Sequence, residues 1–342
     1  MIVDSCFDGS SCVQQAFKTL GITFDGIRNE YYASEIDPYA QAVTKYNFPN
    51  TIFLGDVRDL DIYDFASKVD VDLMVAGSPC QDLSFAGKGL GFSAEGKRSN
   101  LFWVWLQRFK AVKPRYVLVE NVRMKKQWQD MMSEGLGFEP QEINSKLQSA
   151  QNRVRLYWFG KRVGDKYVQV PIQDIKDLGI VLGDIVENGQ VDRDKSYCLD
   201  ANYWKGGNLK SYFEKRRRQL VFDSCIQVGE TADIKGYDII KRVYSTKGKA
   251  PTLTTMQGGH REPKIATSDK TWRKLTPLEC ERLQTLPDGY TQYGDFGGEQ
   301  FDKDGNFVRY TTKPISNTQR YKMIGNGMTV SIIARILEGM EI

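Results

Sequence analysis

Cys80 follows the strand-like run Asp72-Leu-Met-Val-Ala-Gly-Ser78, with only Pro79 between them. A cysteine thiolate is a soft nucleophile. A second run, Tyr116-Val-Leu-Val119, ends in Glu120-Asn121-Val122, and Glu120 supplies a carboxylic acid. A third segment, Gln151-Asn-Arg153-Val-Arg155, adds two guanidinium groups. Held at neighbouring strand ends, such groups can attack, protonate and clamp a heteroaromatic ring. Cys80 and Glu120 lie 40 residues apart, one strand-helix-strand unit. A right-handed crossover brings both to the same carboxyl edge of a parallel sheet. A single cysteine is more often a buried structural thiol. Pro79 before it and the glycine-rich stretch after it favour the reactive reading. That stretch, Asp82–Asn100, holds Gly87, Gly89, Gly91 and Gly96 with Lys88, Lys97 and Arg98, and reads as a lid whose basic residues meet phosphates.

Alternating elements must position these groups. Strand-like runs lie at Ile2–Phe7, Tyr32–Ile36, Thr51–Leu54, Asp72–Ala76 and Tyr116–Val119. Helical stretches fall between them: Cys12–Leu20, stopped by Gly21; Tyr39–Tyr46, opened by Pro38; and Leu101–Val112, capped by Asn100. Glu139–Leu147 and Val154–Lys161 read as further strands. The alternation predicts an α/β, doubly wound, mostly parallel sheet covered on both faces. After Gly160 the pattern breaks into polar, Gly-Gly-punctuated sequence. Thr276 with Glu279 predicts a capping box opening a helix to Leu283, Asp288–Asn317 reads as loop, and Thr329–Leu337 as an apolar helix. The expected division is a catalytic domain of residues 1–160 plus 317–342, with 161–316 as a smaller, irregular, β-rich domain.

Three strand ends carry the marks of a nucleoside cofactor site. Small residues in Phe7-Asp8-Gly9-Ser10-Ser11 let a ligand approach the next helix. Glu35, ending the second run, can accept ribose hydroxyls, and Asp56, after the third, an adenine amino group. Either acid alone would read as a turn cap. The first turn lacks G-x-G-x-x-G, which disfavours a dehydrogenase. Gly91-x-x-x-x-Gly96-Lys97 nearly fits a phosphate-binding loop, but Arg98 stands where Ser or Thr is required.

Composition excludes other classes. The chain has 342 residues, with 41% hydrophobic and 26% charged, as in globular proteins. No apolar run of membrane-spanning length occurs, and the N-terminus has no signal-peptide pattern. Six cysteines without a C-x-x-C pair, and one histidine, argue against a disulfide frame or zinc site. The net charge is +4, yet residues 201–220 and 241–264 each hold six basic residues and one acid. Such concentration in the second half fits a polyanionic partner or a solvated lysine-rich surface about equally well.

Taken in order, Pro79-Cys80-Gln81, Glu120-Asn121-Val122 and Gln151-x-Arg153-x-Arg155 resemble the cytosine-C5 DNA methyltransferases. Phe7-x-Gly9, Arg273-Lys-Leu-Thr-Pro-Leu-Glu-Cys-Glu-Arg282 and Gly325-Asn326-Gly327 extend the likeness from residue 2 to about 337, and Arg242-Val-Tyr-Ser-Thr with Pro251-Thr252-Leu253 is similar to the target-recognition region. The resemblance implies a class I methyltransferase fold with S-adenosylmethionine as cofactor and double-stranded DNA as partner. It implies that Cys80 adds to C6 of a flipped cytosine, Glu120 meets N3, Arg155 holds O2 and Arg153 supports cysteine and base. To the cofactor it assigns Phe7, Gly9, Ser11, Glu35, Ile36, Asp56, Val57, Pro79 and Asn326. To DNA it assigns Gln81, Ser84, Lys88, Arg98, Arg242, Tyr244, Thr252 and Leu253. It assigns no metal.

The chain departs from the family at Ser5 and Cys12, where many relatives have Asp and Gly, and Ser5-x-Phe7-Asp8-Gly9 looks more like the de novo eukaryotic branch. Compact length and Gln81 suit a bacterial or phage enzyme of restriction-modification type, acting in the cytoplasm. A cognate restriction endonuclease is then the expected counterpart, with no obligate protein partner. A tRNA cytosine methyltransferase and a non-catalytic DNA-binding homologue are the competing readings.

Overall fold

The computed structural model describes residues 1–59, 61–79, 100–205, 209–222, 227–230, 242–245, 264–266, 272–301 and 307–341. Eight strands come first: β1 (Ile2–Cys6), β2 (Glu30–Ser34), β3 (Ile52–Phe53), β4 (Leu73–Ala76), β5 (Tyr116–Val122), β6 (Gln141–Asn144), β7 (Val154–Val163) and β8 (Lys166–Gln169). They form one sheet of order β3-β2-β1-β4-β5-β7-β6, with β8 paired to β7. The first five strands run parallel, and β7 lies antiparallel between β5 and β6. The order turns back at β1 and β4, so their carboxyl ends open the crevice where such sheets bind ligands.

Helices α1 (Cys12–Thr19), α2 (Pro38–Asn47), α3 (Ile62–Lys68), α4 (Leu101–Val112) and α5 (Lys126–Leu136) fill the crossovers. Strand alternation sends residues to two cores. Tyr116 and Leu118 of β5 pack with Phe17 of α1 and Val43 of α2. Val117 and Val119 pack with Phe65 of α3, Trp105 of α4 and Met132 of α5. This is the doubly wound architecture expected from the alternation. In the second core Arg108 donates to Asp4 from Nε at 2.8 Å and Nη2 at 2.7 Å, both side chains fully buried. Removing one partner of such a pair costs about 3–5 kcal/mol, because the other charge stays buried alone.

Local signals explain several boundaries. Pro38 sits in the first turn of α2, where its missing N–H is no loss, and Asp37 caps Tyr39 N at 3.0 Å. Asn100 stands before α4, but its side chain caps nothing; its carbonyl accepts from Trp103 N at 3.0 Å.

The remaining helices are α6 (Leu182–Ile185), α7 (Leu209–Lys215), α8 (Pro277–Leu283), α9 (Asn317–Asn326) and α10 (Val330–Leu337). Thr276 and Glu279 close the expected capping box of α8: Glu279 N donates to Thr276 Oγ1 at 3.2 Å, and Thr276 N to Glu279 Oε2 at 2.8 Å. Thr329 is the N-cap residue of α10 rather than its first turn. Beyond the main sheet lie β9 (Leu220–Phe222), β10 (Gln227–Glu230), β11 (Arg242–Ser245), β12 (Lys264–Ala266), β13 (Trp272–Lys274), β14 (Tyr293–Phe301) and β15 (Phe307–Pro314). Strands β10–β11–β12 form a small mixed sheet, and β9 pairs with β13.

The stretch expected to be loop, Asp288–Asn317, instead carries the β14–β15 hairpin. Its register shifts between Asp295 and Glu299, around Gly297 and Gly298, and this irregularity erases the alternation by which a strand is recognised. The hairpin leans on α2, with Phe296 edge-on to Tyr39 at 5.7 Å between ring centroids.

Candidate active site

Glu120 and Arg155 occupy the same face of two neighbouring strands. In the β5–β7 ladder Glu120 opposes Tyr157 and Val122 opposes Arg155, so the acid and the guanidinium are diagonal neighbours. Arg155 Nε lies 2.9 Å from Glu120 Oε1, with each side chain 12–13% exposed. On the opposite face Asn121 Nδ2 donates to Ser78 Oγ at 2.9 Å, a buried bond tying the end of β5 to the turn after β4. Pro79 is the last described residue of that turn; Cys80, Gln81, Ser84, Lys88 and Arg98 lie outside the described residues.

The period-two spacing of Gln151, Arg153 and Arg155 sends all three side chains to one place, a short strap at Cys198-Leu199-Asp200. Gln151 Oε1 accepts from Leu199 N at 2.8 Å. Buried Arg153 donates from Nη1 to the Leu199 carbonyl at 3.2 Å, and from Nη2 to the Gly327 carbonyl at 2.8 Å. Its Nη1 also reaches Cys198 Sγ at 3.5 Å, and Arg155 Nη2 reaches the same sulfur at 3.8 Å. The strap backbone rests on Gly325, where an added Cβ would sit 2.4 Å from the Asp200 carbonyl carbon. Arg153 is thus spent on carbonyl groups around Gly325-Asn326-Gly327, while Arg155 faces the acid. Asn326 itself is exposed.

Desolvation opposes ionisation of Cys198. The Arg153 and Arg155 guanidinium groups outweigh it and hold this thiol below its ordinary value. Burial drives the Cys6, Cys12 and Cys280 thiols the other way, Cys12 up to about 11. Cys198 was not singled out in the sequence: it stands in polar sequence, and its contact with Arg155 spans 43 residues without periodicity.

The first turn surrounds a carboxylate. Ser5 Oγ donates to Asp8 Oδ1 at 2.6 Å, Tyr31 Oη to the same oxygen at 2.7 Å, and Ser11 Oγ to Oδ2. Ser5 and Ser11 thereby work on Asp8 rather than reaching outward. Burial pushes the Asp8 carboxyl up to about 6, against the pull of those hydroxyl groups. Phe7, Gly9 and Ser11 all take left-handed backbone angles, φ 58°, 62° and 56°. A Cβ at Gly9 would meet nothing within 4 Å, so this turn leaves open space. Gly9 N donates to Glu35 Oε2 at 2.8 Å, and Ile36 N and Asp37 N donate to Oε1 at 2.7 and 2.8 Å. Asp56 pairs with Arg58, whose Nε donates at 3.0 Å, and this pairing holds the Asp56 carboxyl below the usual range. Val57 is buried, and Ile36 is 67% exposed. An open glycine turn beside a fixed carboxylate and an uncovered apolar side chain fits a nucleoside-type group.

In the second half the backbones of Arg242 and Tyr244 lie in β11, while Thr252 and Leu253 fall outside the described residues. Lys215, Arg216 and Arg217 are exposed at the end of α7; Arg217 Nη2 donates to Asp200 Oδ2 at 2.8 Å, so the basic segment is tied to the strap. Among the described residues no His/Cys/Asp/Glu group could hold a metal ion, and no helix is long and apolar enough to cross a membrane.

A family model for the C-5 cytosine-specific DNA methylase matches residues 1–341. The orphan methyltransferase M.SPBetaI of Bacillus phage SPbeta is 27% identical, covering 98% of this chain and 96% of its own. The type II methyltransferase M2.ScrFI of Lactococcus lactis subsp. cremoris is 31% identical over 83% of this chain and 69% of its own. In fold, the Entamoeba histolytica methyltransferase EhMeth superposes with a TM-score of 0.60 at 13% identity, covering 99% and 97% of the two chains. A Spodoptera frugiperda DNMT2 mutant superposes at 0.56 and 17% identity, covering 99% and 98%. With that family model spanning residues 1–341, the chain belongs to the C-5 cytosine-specific DNA methylase family and to the enzyme class of DNA cytosine-5 methyltransferases.

Proposed function

We propose that this protein methylates C5 of a cytosine flipped out of double-stranded DNA, with Cys80, Glu120 and Arg155 as the groups that touch the base. The observation that carries the reading is the Arg155–Glu120 pair at the carboxyl end of β5, one strand away from the turn that leads to Cys80. In this reading the Cys80 sulfur bonds to C6, and electron density moves into the ring towards N3 and O2. Glu120 shares its proton with N3, and Arg155 faces O2, so negative charge does not accumulate. Arg153 acts as a strut through its carbonyl partners. Once C5 carries the methyl group, water takes the C5 proton, the electron pair of that C–H bond re-forms the C5–C6 double bond, and the sulfur leaves C6 as thiolate.

S-adenosylmethionine, when bound, supplies an electrophilic methyl group on a sulfonium. The turn Phe7–Ser11, Glu35 and Ile36, with Val57, Pro79 and Asn326 around it, would hold it. Asp56, which pairs with Arg58, would accept from an adenine amino group.

Residues 1–160 with 317–342 then form the catalytic part, and 161–316 carry target recognition. Lys215 and Arg216 meet phosphates, while Arg242, Tyr244, Thr252 and Leu253 read or flank the bases. A cytosine inside a duplex is out of reach, and extruding it costs a few kcal/mol, which phosphate contacts offset. The likeness to phage and type II methyltransferases favours DNA as substrate and a cytoplasmic setting.

Transfer of tritiated methyl groups to duplex DNA and to tRNA tests the substrate. Label in DNA is expected, and label in tRNA alone would overturn the reading. A covalent adduct with DNA carrying 5-fluorocytosine is expected from wild type and not from Cys80→Ala. Its absence from wild type would leave a DNA-binding protein without this chemistry.

A further inference from the structure

We propose that Cys198 is a positioning residue of the reacting centre, its sulfur seating the Arg153 and Arg155 guanidinium groups so that Arg155 stays against Glu120. The inference rests on the proposed roles of Glu120 and Arg155, and deepens them. Its basis is a convergence of contacts. The sulfur's own backbone is fixed on both sides: Asn152 N donates to the Ser196 carbonyl at 3.0 Å, and Leu199 N donates to Gln151 Oε1 at 2.8 Å. Next along the chain, Asp200 rests on Gly325 and holds Arg217. The backbone that carries Sγ therefore has anchors of its own, besides the Leu199 carbonyl that Arg153 holds.

Arg155 makes contacts at three nitrogens: Nε lies 2.9 Å from Glu120 Oε1 as an ion pair, Nη1 donates to the Val154 carbonyl at 2.8 Å and Nη2 to Cys198 Sγ at 3.8 Å. Contact with an acid at one edge and a sulfur at another opposes rotation of the rigid guanidinium out of the sheet edge. As a thiol, Cys198 donates to its neighbouring Leu199 carbonyl at 3.5 Å; as a thiolate it becomes an acceptor between two cations. Among the described residues the charged groups around it are Arg153 and Arg155, with Glu120 beyond Arg155 and Asp200 two residues along the strap. Cys198 is exposed, so a small reagent can reach it.

The test has two arms. In the Cys80→Ser protein, alkylation by iodoacetamide is followed across pH 6–10 by peptide mass spectrometry. The midpoint for Cys198 is expected below the ordinary thiol value of about 8.5. In the second arm Cys198→Ala is expected to lower kcat about tenfold with KM for DNA and the affinity for S-adenosylmethionine held within about twofold, and Cys198→Ser to restore part of the rate; these sizes follow the effect of displacing a positioned group. An ordinary alkylation midpoint, or Cys198→Ala turning over at the wild-type rate, would overturn the proposal. So would a loss of kcat accompanied by an equal loss of thermal stability that serine does not restore. The alkylation arm needs no turnover, so it judges the sulfur–guanidinium contact even where wild type methylates no DNA.

Discussion

Arg155 and Glu120 meet at 2.9 Å although their backbones are not partners in the ladder. The diagonal arises because β7 runs antiparallel to β5, so a residue two positions before the one opposite Glu120 leans back toward it. Substitution Glu120→Gln keeps the shape and removes the exchangeable acid. Turnover should fall about 100-fold or more, the usual contribution of a positioned acid. Arg155→Lys should also lower turnover, because an ammonium cannot reach acid, carbonyl and sulfur from one plane. Tritium transfer to DNA measures both, and wild-type rates in Glu120→Gln would place the acid elsewhere.

Gly325 accepts no side chain. A Cβ there would sit 2.4 Å from the Asp200 carbonyl carbon, 2.5 Å from its oxygen and 2.6 Å from Ala201 N, all backbone atoms that a rotamer change cannot move. Gly325→Ala should cost about 1–3 kcal/mol in urea denaturation. Gly183→Ala in α6, where the added carbon meets nothing within 4 Å, should be neutral or slightly stabilising. Equal stability of the two variants would mean the strap yields without cost.

Much of this architecture was legible because parallel strands buried on both faces read as unbroken apolar runs: Leu73–Ala76 is buried throughout. The Ser78–Asn121 bond and the Arg155–Glu120 pair follow from strand ends that the order of the sheet sets side by side. The strap was not legible. Neither Cys198 nor Asp200 belongs to a periodic stretch, and their partners are selected by tertiary approach alone. The β14–β15 hairpin was hidden for a local reason, since its register shift around Gly297 and Gly298 breaks the period of two.

Lys215 and Arg216 lie exposed where α7 ends, whereas Arg217 is already paired with Asp200. Double substitution of Lys215 and Arg216 to alanine should therefore reduce the slope of log affinity for DNA against log salt by about two, each phosphate contact contributing about 0.9. Arg217→Ala should change that slope less. Filter binding at several salt concentrations reads the slope, and an unaltered value in the double variant would turn this segment toward solvent.

Asp8 makes stability depend on pH in a direction set by its burial. Burial raises its carboxyl to about 6, and bonds from Ser11, Ser5 and Tyr31 only partly resist. The folded chain thus binds this proton more tightly than the unfolded chain, where an aspartic acid ionises near 3.9. Stability then falls with rising pH between about 4 and 6, because the folded state holds more protons than the unfolded state throughout that window. The stabilisation is fully present below the unfolded value and gone once pH passes the folded one. Asp8→Asn carries no titrating group, so subtracting its denaturation curve at each pH isolates the effect. Wild type minus Asn should decline by up to about 3 kcal/mol from pH 4 to 6.5 and stay level above, two pH units at about 1.4 kcal/mol each. A difference that is level throughout, or that rises with pH, would show that the three hydroxyl groups outweigh burial and keep Asp8 ionised.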